Sequence, residues 1–212
     1  MRETIIVVMT ATQQRDLAGR VAGTDPTRAL ALARGIEDPW FACQALAWVA
    51  RYAPEDQVQG IIRESLMVSR KSPDPYRIVA AAAWPVRAVV ERGHTRMLAS
   101  IIPELLVLAK EIKLLVSRSE ALFLLFQAVF PAGQKIWLPV LESLREASTP
   151  LIGWRQRRNL TEAVLIIWSE DQNLAAELIS DLSDLKLKKK IERTIATGER
   201  RLPRPFFWTT GS

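Results

Sequence analysis

The sequence predicts an all-α chain, an α-solenoid (superhelix) of about five helix-pair repeats opened by an N-terminal capping helix. Three observations carry that reading. An Asp-Pro-aromatic start recurs with an alanine and a tryptophan at fixed offsets, in "EDPWFACQALAW" (Glu37 to Trp48) and, 36 residues later, "PDPYRIVAAAAW" (Pro73 to Trp84). Two further apolar patterns repeat in phase along the chain. No strand pattern competes, except that the short "TIIVV" at Thr4 to Val8 could be a strand on composition alone.

Taken in order, residues 1–24 form the N-terminal cap, with a helix over at least Gln13 to Ala22. "RVAGTD", ending at Asp25, matches "RYAPED", ending at Asp56, so the cap reads as a degenerate half-unit. Residues 25–200 hold the helix pairs. In the first helices "RALALA", "ESLMVS", "ELLVLA" and "ESLREA" recur at spacings of 36, 40 and 38. Each sets Leu30, Leu66, Leu106 or Leu144 three residues before Ala33, Ser69, Ala109 or Ala147. Residues at i and i+3 share a helix face, and the small one lets a neighbouring helix approach. In the second helices Gln44, Ala80, Glu120 and Glu162 open equivalent triplets at spacings of 36, 40 and 42. Two patterns in phase mean one helical hairpin per repeat.

The spacing predicts first helices near 27–36, 57–71, 96–112, 136–147 and 173–183, and second helices near 39–52, 75–92, 114–130, 154–169 and 185–199. Asp25-Pro26, Asp38-Pro39 and Asp74-Pro75 mark starts, because a carboxylate caps free amides and proline fits the first helical turn. First helices are amphipathic, whereas second helices such as "IVAAAAWPVRAVV" are apolar almost all round and need cover on most sides. Trp48, Trp84, Leu124 and Ile166 fall at equivalent positions and read as one seam of the core, in preference to a stacking platform for bases. Residues 201–212, "RLPRPFFWTTGS", leave the pattern. Pro203 and Pro205 end helix formation, and Phe206, Phe207 and Trp208 are expected to fold back as a cap in preference to docking on another protein.

Composition excludes more than it identifies. Half the 212 residues are apolar and a quarter charged, which suits a globular core. The net charge of +6 is spread evenly: 17 basic and 14 acidic residues up to Leu144, 12 and 9 after it. Cys43 is the only cysteine and lies in an apolar run, so a buried inert thiol in a reducing compartment is expected. His94 is the only histidine and is expected in a solvent-exposed loop, which leaves no triad and no histidine metal site. Glu55-Asp56 and Glu170-Asp171 stand at helix boundaries and read as caps. Arg2 before Ile5 to Met9 faintly resembles a secretory leader, but Glu3 and the short apolar run do not fit one. Ala121 to Phe130, interrupted by Gln127, is too short to span a bilayer. The expectation is a soluble, cytoplasmic protein without metal, cofactor or membrane contact.

The repeated "DP…ALALA…DP-[WY]" style resembles bacterial helical-hairpin solenoids of the HEAT and TPR class, over roughly Asp25 to Arg200. That resemblance implies a scaffold and no active site. The later units lack the Asp-Pro start. "IIWSED" (Ile166 to Asp171) also has a tryptophan beside carboxylates, as small HEAT-like DNA glycosylases do, but their wider pattern is missing.

The candidate partner-binding residues form two groups. Gln44, Arg51, Arg87, Glu120 and Gln127 recur seven residues apart or in equivalent positions, so they predict one polar stripe able to grip a carboxylate or phosphate. The bland alternative is the solvated edge of the second helices. Trp154, Arg155, Arg157 and Arg158 cluster at the start of a second helix, and Lys186, Lys188, Lys189 and Lys190 at another, with Asp181, Asp184 and Glu192 interleaved. These read first as a solvated outer face and second as a phosphate-binding footprint. The expected function is a non-catalytic scaffold for a protein or peptide partner, with nucleic-acid binding as the alternative and self-association a third route to covering the apolar layer.

Overall fold

A computed structural model describes residues 9–149 and 153–207, and all its regular elements are helical. They are α1 (Ala11–Ala22), α2 (Pro26–Arg34), α3 (Pro39–Tyr52), α4 (Glu55–Ser69), α5 (Pro75–Glu91) and α6 (Leu98–Lys110). After these come α7 (Leu115–Val129), α8 (Gln134–Ser148), α9 (Trp154–Trp168), α10 (Gln172–Ser180) and α11 (Leu185–Ala196). Short 3₁₀ turns cover Thr95–Met97 and Phe130–Ala132. "TIIVV", the leader-like segment and Trp208 lie outside the described residues.

Local chemistry sets the helix starts. Asp25, Asp38 and Asp74 accept from the backbone N–H of Arg28, Trp40 and Tyr76 at 2.9, 2.8 and 3.0 Å. Asp171 and Asp184 do the same without a following proline, from Leu174 at 2.9 Å and Lys186 at 3.0 Å. Most helices end one to three residues short of the periodicity, although α3 ends at Tyr52 as predicted and α8 runs one residue further, to Ser148. α5 stops in a left-handed glycine, Gly93 at φ +73°, with His94 N–H donating to Val89 O at 3.0 Å and Gly93 N–H to Val90 O at 3.1 Å. α11 ends at Ala196 because Gly198 takes φ +71°. Pro131 has no amide to continue α7, which tightens into the 3₁₀ turn.

The described residues fall into two compact units, one of residues up to His94 together with Phe207, the other of those from Thr95 to Phe206. In the first, α3 is central and packs on α1, α2, α4 and α5. Its stretch Ala42 to Ala50 is buried without a break, which is why the sequence there is apolar on every side. Trp48 is 3% exposed and Trp84 6%, so both belong to the core. α1 comes so close to the Trp48 ring that a Cβ on Gly19 would meet it at 3.2 Å. Cys43 is buried, 3.3 Å from Ser65 Oγ, and burial pushes its thiol up to about 12.

In the second unit α9 is central, against α7, α8, α10 and α11. Ile166 is buried here, while Leu124 is only half-buried, so the expected core seam is interrupted at that position. The small residues Ala33, Ser69, Ala109 and Ala147 are all buried within their own units, as close helix packing requires. Leu115–Ala132, with mean hydropathy 1.3, is long and apolar enough to cross a membrane by length and composition, longer than the Ala121 to Phe130 run suggests. Half of it is buried inside the protein, as in a core helix.

Candidate ligand-binding site

The predicted polar stripe is largely taken up by the chain itself. In the first unit Gln44 is 1% exposed, and its Oε1 accepts from Arg15 Nη1 at 2.9 Å. Gln44 is therefore core and not a contact for a partner. Arg51 and Arg87 do grip a carboxylate, but it is Glu91 of α5. Arg51 Nε lies 2.6 Å from Glu91 Oε2, and Arg87 Nε 2.8 Å from Oε1. The Arg51 guanidinium also sits 4.3 Å from the centre of the Phe207 ring and 5.4 Å from that of Trp48. All three charged side chains keep about a quarter of their surface in water, so each pair contributes at most ~1 kcal/mol.

In the second unit Gln127 is 4% exposed and accepts from the Arg204 N–H at 3.2 Å. Ser169, its counterpart in α9, exchanges hydrogen bonds with the backbone of Arg201 at 3.2 Å in both directions. The segment after α11 thus lies against Gln127 and Ser169, the part of the expected row that belongs to this unit. Phe206 and Phe207 are buried. Glu120 stands 3.7 Å from Arg155. Sequence periodicity places these residues on one face but is blind to what the same chain lays across it.

His94 is in a loop, as expected, but its side chain is only 15% exposed, with Nε2 2.9 Å from Glu55 Oε1 and not aligned as a hydrogen bond. Arg92 is the stronger partner of Glu55, at 2.7 Å, and its other amino group donates to the backbone oxygens of Arg51 and Ala53 at the end of α3. The Arg92 hydrogen bond is the main reason the Glu55 carboxyl is held below the ordinary range. Asp171 is occupied as the α10 cap. Among the described residues no three His, Cys, Asp or Glu side chains gather as a metal centre would need.

The two basic clusters behave differently. They are separate in sequence, but α9 and α11 are packed neighbours and side chains from both line one cavity of about 380 Å³. From α9 it is lined by Trp154, Arg157, Arg158 and Thr161. From the α11 side come Asp184, Lys186 and Lys190. Lys188 and Lys189 are outside it. Trp154 is 66% exposed, with the Arg155 and Arg158 guanidiniums 5.6 and 5.1 Å from its ring centre. Asp184 balances Arg157 at 3.2 Å. Among the described residues no carboxylate pairs with Arg158, Lys186 or Lys190. Thr161, at the cavity wall, is 4% exposed and its Oγ1 has no hydrogen-bond partner.

No family model matches the chain, nor does any curated protein or solved structure. Lys186 and Lys190 were legible as a basic run, but their meeting with Arg158 was not.

Proposed function

We propose that the chain is a non-catalytic helical-repeat scaffold, an α-solenoid of about five helix pairs of the HEAT and TPR class, that holds a protein partner. The observation that carries this is Trp154, a large aromatic left 66% exposed between two arginines at the lip of a cationic cavity. Exposed tryptophan and arginine are the side chains that most often anchor protein interfaces, since one supplies apolar area and the other planar hydrogen bonding. The surrounding core supports the reading: the second helices spend their apolar surface on packing, so the hairpins act as a frame.

Capture from the native lysate, with and without nuclease, tests it, using the wild-type chain beside Trp154→Ala and Arg158→Glu. A defined protein that survives nuclease and is lost with either substitution is the expected result. Retention only of nucleic acid, lost on nuclease treatment, would overturn it. The three unpaired cations are the observation that favours a nucleic-acid reading second, and binding of that kind would weaken steeply with salt.

A further inference from the structure

Resting on that scaffold reading, we propose that the α9–α11 cavity is a receptor for a phosphate monoester carried on a side chain of the partner peptide, a phosphoserine or phosphothreonine. Charge is the first reason. Among the described residues Arg158, Lys186 and Lys190 line one cavity without a carboxylate of their own, while Arg157 is balanced by Asp184. A phosphate monoester carries between one and two negative charges at neutral pH and three acceptor oxygens, so it suits three converging cations better than a single carboxylate does.

Convergence is the second reason. Arg158 stands on the flank of α9 and Lys186 and Lys190 on the flank of α11, so cations of two helices face one space, while the α11 amino terminus itself is capped by Asp184. The third is Thr161, a buried hydroxyl at the wall with no partner in the protein. A buried hydroxyl is costly to leave unsatisfied, and a phosphoryl oxygen seated at the cavity floor would accept from it. Trp154 at the lip then offers apolar surface to the residue flanking the phosphate.

The same surroundings argue against a nucleic-acid backbone. A continuous strand needs a track of cations, but the positive patch stops at Asp184. The adjoining hollow, of about 360 Å³, is lined by Arg145 and Arg157, but Asp181 and Asp184 line it too and pair with them at 3.1 and 3.2 Å. One dianion fits this pattern, whereas a polyphosphate chain would next meet arginines already paired with carboxylates.

The test uses the full chain and four probes: inorganic phosphate, a seven-residue alanine-leucine peptide with one central phosphoserine, the same peptide with serine, and a ten-residue oligothymidylate. Two-dimensional amide NMR locates binding and calorimetry ranks it. Inorganic phosphate and the phosphopeptide are expected to shift amides of Trp154 to Thr161 and Leu185 to Lys190. The phosphopeptide should bind at least about tenfold more tightly than its serine form, the size expected for one added charge-assisted contact. Lys186→Gln with Lys190→Gln, both on exposed side chains, should abolish that preference while the far-ultraviolet spectrum is unchanged. Thr161→Val should weaken the phosphopeptide and leave the serine peptide alone.

Shifts elsewhere, no shift with millimolar phosphate or phosphopeptide, or equal binding of the two peptides would overturn the proposal. So would an oligothymidylate that binds the same amides more tightly than the phosphopeptide. Phosphatase treatment of the lysate separates this inference from the scaffold reading beneath it. Capture that is sensitive to Trp154→Ala and persists after phosphatase sinks the phosphate receptor and leaves the scaffold standing. Capture insensitive to Trp154→Ala sinks the scaffold reading itself.

Discussion

Replacing Trp48 and Trp154 by alanine should separate the two jobs that tryptophan performs in this chain. Trp48 is 3% exposed, lies edge-on to Phe207 with ring centres 5.1 Å apart, and approaches Gly19 of α1. A buried tryptophan removes roughly 150–250 Å² from water. At about 25 cal/mol per Å² that corresponds to some 4–6 kcal/mol. Alanine retains a fraction of it and α1 can settle partway into the void, so Trp48→Ala should cost about 3–5 kcal/mol. With a urea dependence near 2 kcal/mol per molar, the midpoint of the transition involving the first unit should fall by about 2 M. Trp154→Ala removes an exposed ring and should stay within about 0.5 kcal/mol. Urea unfolding followed by far-ultraviolet circular dichroism measures both. A loss below about 1 kcal/mol for Trp48→Ala would refute the core seam, and with it the reason given for the repeated tryptophan.

Other substitutions probe local features. Asp38→Ala should destabilise by about 1–2 kcal/mol and Asp74→Ala by about 1, because Asp38 caps α3 and also receives Arg77 at 2.8 Å; thermal melts can compare them. Cys43, buried with its thiol at about 12, should resist iodoacetamide at pH 8 in the native chain and react fully in urea, as intact mass would show. The Glu55 carboxyl should titrate below an ordinary glutamate by carbon-detected NMR and move back up in Arg92→Ala. Because the folded value is the lower one, this pair supports the fold above the ordinary glutamate range, and the support is lost as pH falls through the depressed value.

Much of the architecture was legible in the residues alone, and the reason is that its determinants are short-range. A cap is settled between an aspartate and an amide two or three residues on, as at Asp38 and Trp40. A small residue three places after a leucine marks a close helix face, and Ala33, Ser69, Ala109 and Ala147 are all buried. Helix ends were read less well, since Gly93 and Gly198 act through backbone conformations that apolar periodicity does not register.

The candidate site divides along the same line. Seven-residue spacing and the repeat place Gln44, Arg51 and Arg87 in a polar row. The Arg87–Glu91 pair is local, four residues apart on α5, but the spacing is silent on Arg15 of α1 reaching Gln44 and on Glu91 reaching Arg51 of α3. Gln127 is met by Arg204, 77 residues away. The cavity depends on Arg158 and Lys190, on different helices, facing one space. Helix starts, helix faces and the two basic clusters were determined by the sequence itself. Which charges are neutralised, which are left for a ligand and which tryptophan stays in water were decided only by tertiary packing. Those outcomes depend on distances between atoms far apart along the chain, and no local pattern encodes them.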